Sequence, residues 1–173
     1  MTSEEFKRKL TAILSADVKG YSRLMGADEE ATVRTLQAYK EVMASSIQHH
    51  RGRVVGTAGD SVLAEFASVV DTVQCAVEIQ QVLRAKNAML SETRRMEFRI
   101  GINLGDVIEE GDTIYGDGVN IAARVEGLAE QEESASPKAL INRSRTSCRF
   151  DTTTLGSTRS RTLSSQCGFT GHR

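Results

Sequence analysis

The stretch LTAILSAD, residues 10–17, decides the fold that this sequence predicts. Residues 10–16 form a nearly continuous apolar run, which is typical of a short strand buried on both faces. Asp17 ends the run, and Val18-Lys19-Gly20 follows as a turn. We therefore expect a central strand that ends at a carboxylate.

Helical patterns follow that strand. Asp28-Glu29-Glu30 supplies a cap and acids at a helix start, and apolar residues then recur at helical spacing as far as Ile47. His49 and His50 lie near the end of this helix, where they are more typical of partners for the helix dipole than of metal ligands. Further helices are predicted over about 69–90 and 119–128.

Strands are predicted between those helices. Residues 53–55 and 62–66 flank Gly59-Asp60-Ser61, which is the pattern of a β-hairpin. Apolar residues alternate with others from Phe98 to Leu104, which indicates another strand. The element order is β-α-β-β-α-β-α. Its first six elements predict an α+β fold, a ferredoxin-like βαββαβ sandwich with helices packed on one face of the sheet.

Asp17 and Asp60 are the first candidate site residues. In a ferredoxin-like sheet the first strand is central and the hairpin strand lies beside it, so the two carboxylates can converge. A carboxylate pair together with phosphates suits Mg²⁺, and two metal ions can clamp the attacking and leaving oxygens of phosphoryl transfer. The alternative stays open that Asp17 caps a helix and that Gly59-Asp60 is only a turn.

Further candidates lie in the turn after Asp17 and on the last predicted helix. Gly20 permits close approach of the backbone, and the amides after it can face phosphate oxygens. Asn120 and Arg124 are four residues apart, so they project from one helix face. An amide and a guanidinium there suit a ribose and a phosphate, although an ordinary exposed polar face would explain the same pair.

Four motifs together resemble the catalytic domain of class III adenylate and guanylate cyclases of the bacterial type. SADVKGYS at 15–22 resembles the first metal motif, and TAGDS at 57–61 resembles the second. FRIGINLG at 98–105 resembles the central strand, and IYGDGVNIAAR at 114–124 resembles the transition-state helix. They occur in the family's order and spacing, and the resemblance runs from about residue 9 to residue 131.

The resemblance implies a nucleotidyl cyclase, a lyase that converts ATP, or with less support GTP, into the 3′,5′-cyclic monophosphate and pyrophosphate. Asp17 and Asp60 would hold two Mg²⁺ or Mn²⁺ ions, with the Val18 carbonyl as a further ligand. Asn120 would orient the ribose, and Arg124 would stabilise charge on the α-phosphate. In this family the two pairs come from different subunits, which implies a homodimer with shared sites. The substrate-binding positions implied by the resemblance are Val18, Lys19, Gly20, Tyr21, Gly56 and Thr113.

Two of those positions depart from the family pattern. Adenylate cyclases usually carry Lys four residues before the second metal Asp, where this chain has Gly56, and often Asp where it has Thr113. The residues that select the base are thus incomplete. A second hypothesis is therefore a weak or silent cyclase-like module that binds nucleotide or dimerises to regulate a partner. A third is a palm-type two-metal nucleotidyl transferase, against which Asn120 and Arg124 argue.

The composition changes near Gln131. Of the 42 residues from 132 to 173, 15 are Ser or Thr, and seven basic residues outnumber three acids. We expect residues 1–131 to be a truncated cyclase catalytic domain and residues 132–173 to be a disordered tail that leaves a sheet edge uncovered. Synonymous codons read in an alternative frame can give GICIS, VKNI and EPVRVYR, which resemble the missing end of a cyclase domain. A frameshift is our hypothesis for the tail.

Bulk properties argue against several other classes. A net charge of −1 gives no reason to expect nucleic acid or an anionic membrane as partner, and no apolar run is long enough to span a bilayer. The N-terminus lacks an apolar signal core. Cys75, Cys148 and Cys167 fit neither a metal site nor a disulfide framework. We therefore expect a cytoplasmic protein with free thiols.

Overall fold

The computed structural model describes residues 7–128, 139–143 and 146–149. Within these ranges the chain is a mixed α+β fold, as predicted, with one 3₁₀ turn at Glu92–Arg94. The strands and helices in chain order are β1 (Lys7–Val18), α1 (Tyr21–Ala27), α2 (Glu29–His49), β2 (Gly52–Gly56), β3 (Val62–Phe66), α3 (Val69–Asn87), β4 (Phe98–Glu110), β5 (Thr113–Tyr115), α4 (Asp117–Leu128), β6 (Ala139–Arg143) and β7 (Thr146–Arg149). None of the described helices combines the length and the apolar character that a bilayer span needs.

Strand β1 lies inside the sheet, as its apolar sequence predicts. The strand order is β2-β3-β1-β4-β6-β7, and β5 pairs with β4. β1 is antiparallel to both neighbours, and Ala16 lies opposite Val62 on β3 and Ile100 on β4. This order of the first four strands confirms the predicted ferredoxin-like arrangement.

Side chains of β1 point alternately into two cores, because successive residues of a strand face opposite sides. Leu14 and Ala16 belong to the larger core, to which α2 and α3 also contribute. Ile13 belongs to a smaller core on the opposite face, together with Val107 and with Ala122 of α4. Helices α2 and α3 therefore lie on one face as predicted, and α4 covers part of the other face.

Helix α4 packs very close to β4. A Cβ atom on Gly101 would lie 2.3 Å from the Ala122 carbonyl oxygen and 2.4 Å from the Glu126 amide nitrogen. Near the start of the helix, the buried Asn103 side chain donates a hydrogen bond of 3.0 Å to the carbonyl of Gly118. Both contacts involve the helix backbone, so the sheet determines where the outer face of α4 lies.

The start of β4 is held by a buried amide at the end of α3. Asn87 Nδ2 donates to the Met96 carbonyl at 2.8 Å, and its Oδ1 accepts from the Met96 amide at 3.0 Å. The same Oδ1 accepts from the Tyr39 hydroxyl on α2 at 2.9 Å. Because its polar atoms are paired, this buried side chain links α2, α3 and β4 without an unsatisfied group.

Strands β6 and β7 fall in the segment 132–173, for which the sequence predicts disorder. β6 runs parallel to β4, with Ile141 opposite Ile102, and β7 is antiparallel to β6. Over these two stretches the predictions of disorder and of an uncovered β4 edge are therefore wrong. The physical reason is that the backbone of residues 139–142 pairs with β4 and so satisfies the hydrogen-bonding groups of that edge. The rest of the segment, and the predicted boundary at residue 131, lie outside the described residues.

Candidate active site

Asp17 and Asp60 come together at one end of the sheet. Asp17 is the penultimate residue of β1, and Asp60 lies in the loop between β2 and β3. Burial raises the pKa of Asp60, and the adjacent Asp17 carboxylate raises it further, while the backbone amides of Asp60 and Val18 act in the opposite direction. The Asp60 carboxylate therefore lies against Asp17 and close to the end of β1.

The loop that carries Asp60 is fixed by local geometry and by α2. Gly59 has a φ of +55°, in the left-handed region that glycine adopts without steric cost. Lys40 of α2 donates from Nζ to the Gly59 carbonyl at 2.6 Å. The Ser61 amide donates to the Ala58 carbonyl at 2.9 Å, which closes the turn. Asp60 itself is half-buried.

Three polar residues surround Asp17 that the sequence analysis did not single out. Arg99 lies opposite Asp17 on β4, with its Nη2 atom 2.6 Å from Asp17 Oδ2. The same nitrogen is 3.7 Å from Glu126 Oε1 on α4. Ser15 donates from Oγ to Glu126 Oε2 at 2.9 Å. The carboxylate of Asp17 thus lies within a network that joins β1, β4 and α4.

Glu126 is a buried carboxyl group, with 7% of the residue exposed. Burial raises its pKa most, and the charges of Asp17 and Asp60 add to the effect, whereas Ser15 and Arg99 oppose it.

A signal for this network was present in the sequence. Glu126 falls on the inward face of its helix with Ala122, and Arg99 is a charged residue within an otherwise apolar strand pattern.

The turn after β1 continues into a short helix rather than remaining a turn. Gly20 has a φ of +67° and caps α1. The Lys19 amide donates to the Glu97 carbonyl at 2.8 Å, and the Lys19 side chain is exposed. Tyr21 begins α1 and packs against the larger core, in which the Val18 side chain is buried. Only the backbone of Val18 is therefore available to a ligand.

A cavity of about 410 Å³ adjoins this turn and is lined by Lys19, Gly20, Arg23, Glu92, Arg95 and Glu97.

Asn120 and Arg124 lie together on the exposed outer face of α4. The inner face of that helix, which includes Ala122 and Glu126, is the one buried against the sheet. Among the hydrogen bonds and ion pairs within residues 7–128, none joins Asn120 or Arg124 to Asp17 or Asp60. The structure therefore places the members of each predicted pair near one another, with Asp17 and Asp60 at the end of β1 and with Asn120 and Arg124 on the outer face of α4.

Gly56 and Thr113 lie at the ends of two neighbouring strands. Gly56 ends β2 and Thr113 begins β5, and these strands contact each other. Arg53, the nearest basic residue before Gly56 in β2, is engaged elsewhere. Its Nη2 atom lies 2.7 Å from Glu65 and 2.8 Å from Glu109, and its Nη1 atom lies 3.4 Å from Asp112. Arg53 therefore does not replace the missing lysine.

The carboxylate pair has the chemistry of a hard-cation site. Carboxylate and backbone oxygens are the ligands that Mg²⁺ and Mn²⁺ prefer, and Asp17 and Asp60 each present a carboxylate at this end of the sheet. Within the described residues no group of three or more His, Cys, Asp or Glu side chains is placed to hold a metal. By their chemistry, the two carboxylates fit Mg²⁺ whose coordination is completed by phosphate oxygens or water. His50 instead pairs with Glu78 of α3 at 2.8 Å.

Comparison with known proteins places this geometry among the cyclases. The family model described as adenylate and guanylate cyclase catalytic domain matches residues 4–162. A Rhizobium meliloti protein, named as a candidate adenylate cyclase (number 3), is 48% identical over 131 residues, covering 75% of this chain and 22% of that protein. An adenylate cyclase of Streptomyces coelicolor is 31% identical over 130 residues, covering 75% of this chain and 32% of that enzyme. The chain thus spans less than a third of the length of these two relatives.

Among solved structures, the chain is similar to an adenylate/guanylate cyclase/hydrolase from Silicibacter pomeroyi. The TM-score is 0.69 at 36% sequence identity, and the alignment covers 79% of this chain and 77% of the other.

Proposed function

The chain belongs to the adenylate and guanylate cyclase catalytic domain family, and from this membership we propose that it converts ATP into 3′,5′-cyclic AMP and pyrophosphate. The observation that carries the proposal is the Asp17–Asp60 carboxylate pair, combined with an exposed Asn120–Arg124 face on α4. In the proposed reaction the ribose 3′-hydroxyl releases its proton to solvent, and its oxygen forms a bond to the α-phosphorus. The bond between that phosphorus and the bridging oxygen breaks, and pyrophosphate leaves.

Asp17 and Asp60 would hold two Mg²⁺ or Mn²⁺ ions, with the Val18 backbone carbonyl as a further oxygen ligand. When bound, such ions promote ionisation of a hydroxyl group and neutralise charge on a transferring phosphoryl group. Asp17 lies on β1 and Asp60 on the β2–β3 loop beside it, and the amide of Val18 already faces Asp60. The backbone around Lys19, Gly20 and Tyr21 would face the phosphates, beside a cavity that is lined in part by Arg23 and Arg95.

Asn120 would orient the ribose, and Arg124 would stabilise negative charge on the α-phosphate. Both side chains are exposed on α4, on the face opposite the one that Ala122 and Glu126 bury against the sheet. As the family resemblance implies, α4 of a second copy would supply these groups to the Asp17–Asp60 pair of the first. We propose a homodimer in which each site combines residues of both subunits.

The choice of ATP over GTP rests on the relatives named as adenylate cyclases. This chain's own residues do not select the base, since Gly56 and Thr113 offer no charged partner for a purine edge. That observation also favours a second function, a cyclase-like module with little turnover that binds nucleotide or dimerises to regulate a partner.

A product assay with a matched control tests the proposal. Purified chain is incubated with Mn²⁺ and either ATP or GTP, and cyclic product is measured by chromatography. Asp60→Asn is expected to lose at least roughly 100-fold in rate, because it removes a metal ligand. Asp28→Asn makes the same chemical change at the cap of α2, where Asn caps equally well, and should keep the wild-type rate. Nucleotide binding without cyclic product would favour the silent module, and equal rates for wild type and Asp60→Asn would refute the metal assignment.

A further inference from the structure

Arg99 shares one nitrogen atom between two carboxylates. Its Nη2 atom is 2.6 Å from Asp17 Oδ2 and 3.7 Å from Glu126 Oε1. All three side chains are largely buried, with exposed fractions of 19% for Arg99, 22% for Asp17 and 9% for Glu126. Since a charged hydrogen bond is about 2.8 Å long, a movement of roughly 1 Å would bring Arg99 into full contact with Glu126 and away from Asp17.

Glu126 is placed to receive that movement. Ser15 binds its Oε2 atom at 2.9 Å, so Oε1 is the oxygen nearer to Arg99. The backbone of α4 at Glu126 rests directly on Gly101, which leaves the helix little freedom to approach the sheet further. Arg99 carries the longer side chain of the two, with more rotatable bonds than Glu126.

We propose that Arg99 is a positioning residue that neutralises Asp17 while no metal ion is present and turns to Glu126 when a divalent cation binds. The inference rests on the proposed function, since it requires that Asp17 and Asp60 bind the cation. A guanidinium beside Asp17 repels an arriving divalent ion. A second carboxylate within reach lowers the cost of this repulsion, because the guanidinium then has a carboxylate partner both with and without the metal ion. Arg99 and Glu126 together would set the affinity of the site for its metal.

A simpler account must be separated from this one. The negative charge of Glu126 could attract the cation directly, and then Arg99 would play no part in the effect of Glu126. Both accounts predict tighter binding when Arg99 is neutralised and weaker binding when Glu126 is neutralised. They differ in coupling, since only the transfer of Arg99 makes the effect of Glu126 depend on Arg99.

A double-mutant cycle on the full chain measures that coupling. Free Mn²⁺ is titrated by its electron paramagnetic resonance signal, with no nucleotide present, against wild type, Arg99→Gln, Glu126→Gln and the double variant. Arg99→Gln should bind Mn²⁺ roughly tenfold more tightly. Glu126→Gln should weaken binding roughly tenfold in the wild-type background, but less than about twofold in the Arg99→Gln background. Arg34→Gln, the same change at the exposed Arg34–Glu30 pair on α2, should leave the affinity unchanged.

Thermal unfolding supplies a second readout. Without metal, Arg99→Gln should melt below wild type, since the carboxylates of Asp17 and Glu126 lose their neighbouring cation, and Mn²⁺ should raise its melting temperature more than that of wild type. Should Arg99→Gln fail to fold, Arg99→Met, which is also uncharged and has a long flexible side chain, takes its place in the cycle. Equal effects of Glu126→Gln in both backgrounds would overturn the transfer of Arg99 while leaving the metal site intact. No Mn²⁺ binding by wild type would overturn the metal site, and the inference with it.

Discussion

Replacing Gly101 by alanine should displace the helix that carries Asn120 and Arg124. The added Cβ would lie 2.3 Å from the Ala122 carbonyl oxygen and 2.4 Å from the Glu126 amide nitrogen. An ordinary carbon–oxygen contact is about 3.3 Å, so α4 would have to move outward by roughly 1 Å. Neither contact can be relieved by a side-chain rotation, because both neighbours are backbone atoms. Overpacking of this kind costs about 3 kcal/mol, which for a domain of this size lowers the melting temperature by roughly 10 °C.

The same displacement should reduce turnover. A misplacement of about 1 Å in a catalytic group can cost roughly 100-fold in rate, and α4 carries both groups proposed to act on the substrate. Calorimetry and the cyclic-product assay measure the two effects on one preparation. Gly127→Ala is the matched control on the same helix, since nothing lies within 4 Å of the added Cβ. It should raise stability by about 0.5–1 kcal/mol. If Gly101→Ala kept the wild-type melting temperature and turnover, α4 would not need a glycine at position 101 of β4 in order to pack as it does.

Three other predictions concern the site. Because burial and Asp17 raise the folded-state pKa of Asp60, its contribution to stability is present below the unfolded pKa of about 3.9 and lost as pH rises through the folded value. Metal-free Asp60→Asn should therefore melt above wild type at pH 7, with a difference that vanishes near pH 4 in calorimetric scans; a constant difference would contradict this. Gly56→Lys restores the lysine that adenylate cyclases usually carry at this position, and its Cβ would meet Leu63 at an unstrained 3.6 Å. It should therefore raise selectivity between ATP and GTP severalfold in competition assays; unchanged selectivity would mean that this position does not read the base. Asp17→Ala and Arg124→Ala, each inactive alone, should recover up to roughly a quarter of wild-type activity when mixed at equal amounts, because about half the dimers are mixed and each has one intact site. Demonstrated mixed dimers without recovery would exclude the shared site.

The central part of the fold was predictable because its sequence patterns are local and consistent. The apolar run at 10–16 predicted an interior strand, the Gly59-Asp60 turn predicted the hairpin, and Asp28 predicted the start of α2, where its side chain caps the Ala31 amide. These features depend on neighbouring residues alone. Short elements were missed for the opposite reason. Helix α1 and strand β5 are too short to show a period, and β6 is a brief apolar run in a segment dominated by Ser and Thr.

Only those residues of the candidate site that belong to a sequence motif could be named from the sequence. Asp17, Asp60, Asn120 and Arg124 each stand in a recognisable motif, and the strand order brings the two aspartates together. The sequence alone places Arg99 only within a strand, because its partners depend on the register of that strand. Only the register of β1 with β4 shows that it faces Asp17, and only the packing of α4 shows that Glu126 reaches the same place. Long-range contacts of this kind leave no trace in local spacing.

The alternating burial of β1 ties the evolution of the site to that of the core. Its even-numbered residues from 12 to 18 pack in the larger core, while Ser15 and Asp17 face the network around Arg99. A single insertion or deletion within this strand would exchange the two sets, sending a carboxylate into hydrocarbon and apolar groups into the site. The strand should therefore diverge by substitution alone, with length changes confined to the loops. A designer who wished to transplant the carboxylate pair into another scaffold would have to move the whole strand with its register.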